Sequence, residues 1–259
     1  MTIDLHNHTP RCNHAEGSLD DYIRAAIEKG IDIFGFADHA PMDFDERYRM
    51  GFEEMREYEA EVREAADRYQ DRITIRLGYE VDYLPGHMDD RVLKAPVDYL
   101  IGSVHFIDEW GFDNPEFIGH YENADLEKIW REYFDAVEAM ARSGLFDIVG
   151  HLDLIKVFNY RPEGDIRPLA EGALDAIAAA EMTLELNAAG WRKPVGEAYP
   201  SLDLLRMAHD RGITVTFASD AHQPQQVGYK MAELHALARE AGYREAADFR
   251  NRKRRLLKF

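Results

Sequence analysis

Little in this 259-residue sequence points to a membrane, an oxidised compartment or a nucleic acid. There is no run of about 18 apolar residues, so no transmembrane helix is expected. Residues 1–10 carry neither the basic start nor the apolar stretch of a signal peptide. The single cysteine, Cys12, cannot form an internal disulfide and excludes zinc fingers built on several thiolates. Positive charge is scarce: 31 Lys and Arg against 49 Asp and Glu give a formal net charge of −18, which repels a phosphate backbone at long range. A cytoplasmic protein with no membrane or nucleic-acid partner is expected. The one basic run, residues 250–255, reads as a solvated tail or a last helical turn. Small anions stay open as ligands, because bound divalent cations supply local positive charge whatever the overall sign.

What the sequence does have is alternation. Short apolar runs at residues 3–6, 31–37, 73–81, 97–103, 146–151, 183–187 and 214–219 read as strands. Amphipathic stretches at 19–29, 52–69, 126–143, 167–180, 201–211 and 226–241 read as helices. No repeat or linker divides the chain, so residues 1–259 are expected to form one α/β domain with parallel strands. The polar residues decide between an open sheet and a closed barrel. His6 and His8 follow the first run, Asp38 and His39 the second; Glu80 closes the third, His105 follows the fourth, His151 the fifth, and Asp220 with His222 the seventh. Chemistry gathered at the C-terminal ends of nearly every strand is what the loops of a βα barrel offer on one face.

A lone histidine in a strand is usually a hydrogen-bonded core residue. The set reads differently, because seven of the eleven histidines lie at strand ends or in the first loop; His87, His120, His209 and His235 are left as ordinary surface or supporting residues. In His6-Asn7-His8 the period of two places both imidazoles on one side of an extended segment, and Asp220-Ala221-His222 repeats the pattern with mixed donors. Neutral imidazole with carboxylate suits zinc, iron or manganese. His6, His8, His14, His39, Glu80, His105, His151, Asp220 and His222 are too many donors for one ion, so two or three metals are expected, with Glu80 as a bridge and Asp38 orienting a ligand from behind.

The segment from His6 to Gly17, with Ala37-Asp38-His39-Ala40, resembles the polymerase and histidinol phosphatase (PHP) family of metal-dependent phosphoesterases. Ser103-Val104-His105, Gly150-His151-Leu152-Asp153 and Ser219-Asp220-Ala221-His222 follow in that family's order. The His14 loop, Gly111-Phe112-Asp113-Asn114-Pro115 and the stretch from Glu185 to Pro194 look like its histidinol-phosphatase branch. The resemblance implies a distorted, TIM-barrel-like (β/α)7 barrel and a trinuclear site. By position His6, His8, Glu80 and Asp220 would hold one metal, His14, His39 and His222 a second, and Glu80, His105 and His151 a third. It also marks Arg161 and Arg192 as phosphate-binding.

The implied reaction is hydrolysis of the small-molecule ester L-histidinol phosphate by a metal-bridging hydroxide, with no protein nucleophile. Asp43, Asp45 and Asp113 are candidates to meet the substrate's amine or imidazole, and Phe44, Phe112 and Trp191 to flank its ring; Cys12 reads as a spacer. A phosphoesterase for another ester, such as a nucleotide, and a noncatalytic metal-stabilised module are the alternatives. A metal-dependent amidohydrolase also begins with His-x-His on a barrel, but usually bridges its metals with a carboxylated lysine where this chain has Glu80.

Overall fold

The computed structural model describes residues 1–259. The chain opens with strands β1 (Ile3–Asp4), β2 (Ile33–His39), β3 (Thr74–Asp82) and β4 (Tyr99–Ser103). A short hairpin, β5 (Phe106–Ile107) and β6 (Trp110–Gly111), comes next, then β7 (Ile148–Val149), β8 (Thr183–Asn187) and β9 (Thr214–Ala218), and last the pair β10 (Glu245–Arg250) and β11 (Lys253–Lys258). Helices α1 (Leu19–Glu28), α2 (Met55–Tyr69), α3 (Asp90–Leu93), α4 (Leu126–Arg142), α5 (Arg167–Ala179), α6 (Leu202–Asp210) and α7 (Met231–Ala241) lie between them. No helix is long and apolar enough to cross a membrane.

Seven strands form one parallel sheet in the order β1-β2-β3-β4-β7-β8-β9. The sheet closes on itself where β1 meets β9. Leu5 N donates to Phe217 O at 2.9 Å, Asp220 N to His6 O at 2.8 Å and His8 N to Ala221 O at 3.0 Å. The expected barrel of seven strands is therefore present, distorted because β1 and β7 are only two residues long.

Barrel strands are covered on both faces, which is why they read as nearly continuous apolar runs. Inside, Tyr99 crosses the lumen and donates from Oη to Leu5 O at 2.5 Å. Gly35 and Gly78 stand where any Cβ would strike that ring, so only glycine fits. Outside, α4 buries Ile129, Trp130, Tyr133, Phe134, Val137 and Met140 along one stripe. Each large side chain there contributes about 1.5–3 kcal/mol of burial. Ser18 and Asp21 form a capping box that starts α1.

The basic run is not a tail or a helix turn. It is the end of β10, the turn and the first half of β11 in the antiparallel pair β10/β11, laid across the N-terminal ends of the barrel strands. Arg252 N donates to Asp98 O at 2.8 Å and its side chain reaches Leu145 O and Asp147. Arg254 donates to Glu181 O at 2.6 Å, and buried Asp248 receives both Arg76 and Arg255. The acceptors belong to loops far away in sequence, so the run alone could not reveal them. The last helix also starts later than expected, at Met231, because Gly228 and Lys230 take left-handed backbone conformations.

Candidate metal centre

At the C-terminal mouth of the barrel the first loop sets the pattern. Asn7 turns away from the lumen and donates to Asp4 Oδ1 and to Gly35 O, both at 3.1 Å. His6 and His8 therefore face inward together, both fully buried. Their Nε2 atoms stand 3.1 Å apart, at 3.2 and 3.6 Å from Glu80 Oε2. Glu80 lies at the hub. Its Oε1 is 2.9 Å from His151 Nε2 and 3.5 Å from His105 Nε2, and His39 Nδ1 lies 3.1 Å from Oε2. Asp220 Oδ1 approaches His8 Nε2 to 3.2 Å.

Donor atoms converge in three groups, with Asp220 beside the first rather than within it. Those of His6, His8 and Glu80, of His14, His39 and His222, and of Glu80, His105 and His151 each lie within 4.8 Å of one another. All nine residues meet at one mouth. Cys12 Sγ falls within the same distance of His8 and His222, but it is buried, donates to Thr9 O at 3.1 Å, and has its thiol pushed up by burial.

The partners behind each imidazole test whether a metal fits. His6 Nδ1 meets Glu185 Oε2 at 2.7 Å, His8 Nδ1 meets Asp38 at 3.2 Å, and His105 Nδ1 meets Asp82 at 2.7 Å. His14 Nδ1 meets Cys12 O at 2.7 Å and His222 Nδ1 meets Asp220 O at 3.2 Å. In the neutral form, with the proton held on Nδ1, each ring turns a bare Nε2 lone pair inward. Bare lone pairs facing one another across 3.1 Å repel unless a cation lies between them, and outer partners of this type are what metal-binding histidines have. His151 Nδ1 is buried with no hydrogen-bond partner, and His39 Nδ1, although 3.1 Å from Glu80 Oε2, makes no hydrogen bond to it. The donor set fits divalent metal.

The charges divide into two sets. Burial opposes every charge here, yet carboxylates hold His6 and His8 well above the usual imidazole range, and the surrounding imidazoles hold Glu80 and Asp220 well below the usual carboxylate range, so a divalent ion competes with protons for these rings. His105 is raised to about 10, because Asp82 and Glu80 outweigh its burial. His14, His39 and His222 move the other way, lowered by burial and by neighbouring imidazoles toward the neutral form that binds metal.

Beside the cluster opens a cavity of about 500 Å³. Arg192 lines it. Its Nη2 donates to the carbonyls of Ser219 and Asp220 at 2.9 and 2.8 Å, and its buried Nη1 has no partner. Arg161 does not join it: exposed, it pairs with Glu197 at 2.7 Å and lies outside the cavity lining. Asp45 and Asp113 line the cavity, whereas Asp43 is bound to His87 on the surface. Phe44, Phe112 and Trp191 pack elsewhere; the aromatic walls are Tyr48, Phe106, Phe117 and Tyr199. Glu185, Asp82 and Asn187 were not anticipated, and Asn187 ties Glu185 to Asp220 at 2.8 and 3.0 Å. Their signal was present: in β8 the polar Thr183, Glu185 and Asn187 recur every second residue, as Glu80 and Asp82 do in β3.

Comparison with known proteins adds to this geometry. The PHP domain model matches residues 4–189. The chain is 45% identical to a "Probable histidinol-phosphatase" of Deinococcus radiodurans, spanning 96% of this chain and 97% of that one. It is 30% identical to the histidinol-phosphatase of Bacillus subtilis, spanning 87% and 95%. The histidinol phosphate phosphatase of Lactococcus lactis, solved in complex with zinc, L-histidinol and phosphate, shares the fold at a TM-score of 0.81 over 98% of each chain, with 24% identity.

Proposed function

The chain belongs to the PHP domain family, and from that membership we propose that it hydrolyses L-histidinol phosphate to L-histidinol and phosphate, a step of histidine biosynthesis. The observation that carries this reading is the convergence of nine side chains suited to metal in and beside a cavity that Arg192 lines, in a chain so similar to named histidinol-phosphatases. Two or three divalent ions, zinc, manganese or iron, suit the donors. Under this proposal His6, His8, Glu80 and Asp220 hold one ion, His14, His39 and His222 a second, and Glu80, His105 and His151 a third. When bound, such ions supply Lewis-acid charge to the phosphoryl oxygens and lower the pKa of the attacking water.

The remaining work falls to the chain. Glu185, Asp38 and Asp82 hold His6, His8 and His105 in the tautomer that presents Nε2. Arg192, tethered through Nη2 to the carbonyls of Ser219 and Asp220, lines the cavity and would offer its guanidinium charge to a phosphoryl oxygen. No side chain serves as nucleophile; Cys12 stays a packed thiol, and one buried free cysteine fits the reducing cytoplasm that is part of the proposal.

Phosphate release from L-histidinol phosphate with added manganese or zinc, beside other phosphomonoesters and a phosphodiester, tests the reading. A strong preference abolished by chelator supports it. Preference for another ester would move the substrate, and no hydrolysis with any metal would sink the enzyme.

A further inference from the structure

One carboxylate of the cavity is left over. Among the acidic residues that line it, Glu80 and Asp220 face the imidazoles, Asp82 is matched by Arg49 at 2.8 Å and His105 at 2.7 Å, and Asp45 is matched by Arg49 at 3.3 Å. Asp113 alone has no hydrogen bond and no cation of the chain beside it, although it is half-buried.

Its backbone is pinned on both sides. Phe112 N donates to His105 O at 3.3 Å, Tyr121 Oη donates to Phe112 O at 3.1 Å, and Asn114 N closes a turn onto Gly111 O at 3.3 Å. The buried Phe112 ring anchors the turn against Trp110 and Tyr133. Asp113 lines the cavity together with Asp45, His105 and Tyr199. In a chain already at −18, a carboxylate half withdrawn from water without a partner is unfavourable by itself, and a cation arriving on a ligand offsets that cost.

The cavity therefore combines two kinds of group, the metal-suited donors with Arg192 and the unmatched carboxylate of Asp113. We propose that Asp113 is the specificity-determining residue for the leaving group, receiving the cationic nitrogen of an amino-alcohol phosphate whose phosphate lies at the metal-suited donors. The assignment rests on the phosphatase reading above and narrows it: zwitterionic monoesters are favoured over esters of neutral or anionic alcohols.

The test compares kcat/KM for L-histidinol phosphate and for p-nitrophenyl phosphate in the metal-loaded parent and in Asp113→Asn. The ratio of the two should fall about 10- to 100-fold in the variant, the scale of a lost hydrogen bond to a charged group. Asp113→Glu, which keeps the charge, should retain most of the ratio. Equal loss on both esters, or an unchanged ratio, would overturn the assignment while leaving the phosphatase reading intact. Should the parent hydrolyse neither ester, that reading fails, and L-histidinol binding by calorimetry still decides: its Kd should rise by the same factor in Asp113→Asn, and an equal Kd overturns the proposal.

Discussion

Replacing Glu80 by Gln keeps shape and volume and removes one negative charge from the hub. The side chain is 1% exposed and touches Ser103, His6, His39, His105 and His151 through its two oxygens. A unit charge at about 4 Å is worth about 4 kcal/mol at the effective dielectric of such sites. If the carboxylate bridges two divalent ions, each should lose at least about three orders of magnitude in affinity. An amide also turns an N–H donor toward imidazole nitrogens that present lone pairs, so geometry and charge act in the same direction. Metal per chain would be counted by mass spectrometry after dialysis against a chelator-buffered metal solution, with phosphate release assayed on the same samples. Parent protein should retain its ions while Glu80→Gln loses at least the two that share the carboxylate, and activity should vanish with them. Thermal denaturation of both metal-free proteins separates site loss from misfolding. A variant that keeps its metal and more than about half its activity would refute the bridging role.

Arg192→Ala should raise KM and lower kcat/KM about 10- to 100-fold with metal content unchanged, since its contacts are backbone carbonyls and the cavity; loss of metal in that variant would contradict the phosphate role. Asp248→Ala deprives Arg76 and Arg255 of their shared partner and should cost about 3 kcal/mol in denaturant unfolding. The folded fraction should keep its kcat, because the β10/β11 pair lies at the opposite end of the barrel. His235, packed between Phe217 and Phe259, is lowered to about 4 by burial, by Arg239 and by the N-terminal ammonium. Its folded value lies below its unfolded one, so its contribution to stability is complete above about pH 6.5 and is lost as pH falls toward 4. His235→Phe should flatten that acid limb of the melting temperature, and an unchanged slope would discount the group.

The metal cluster was legible because its signal is geometric at short range. His6 and His8 share a side by strand periodicity, and the other donors mark strand ends, which a barrel brings to one face whatever the loop details. The place of Arg192 in the cavity lining could be read for a similar reason, since it lies in the loop after β8. The parts that could not be read depend on partners remote in sequence. Arg161 was a candidate beside Arg192, but it is paired with Glu197, and residues 250–255 looked solvated because the carbonyls of Leu145 and Glu181 that receive them carry no sequence mark. Glu185 and Asp82 lie between: their alternation with known polar positions was visible, but the imidazoles they orient were not assigned to them until the barrel closed.

The closure between β1 and β9 also has a bearing on synthesis. Asp4 accepts from Ser219, a contact between residues 215 apart, and the flanking residues His6, His8, Asp220 and His222 are all donors of the cluster. Contacts of such long range form late, after the loop entropy between them has been overcome. A nascent chain would have most of the barrel outside the ribosome before the pocket could take up an ion at full strength. Ion uptake would then act as a seal on a finished barrel, stabilising completed molecules and leaving partial ones open to proteolysis.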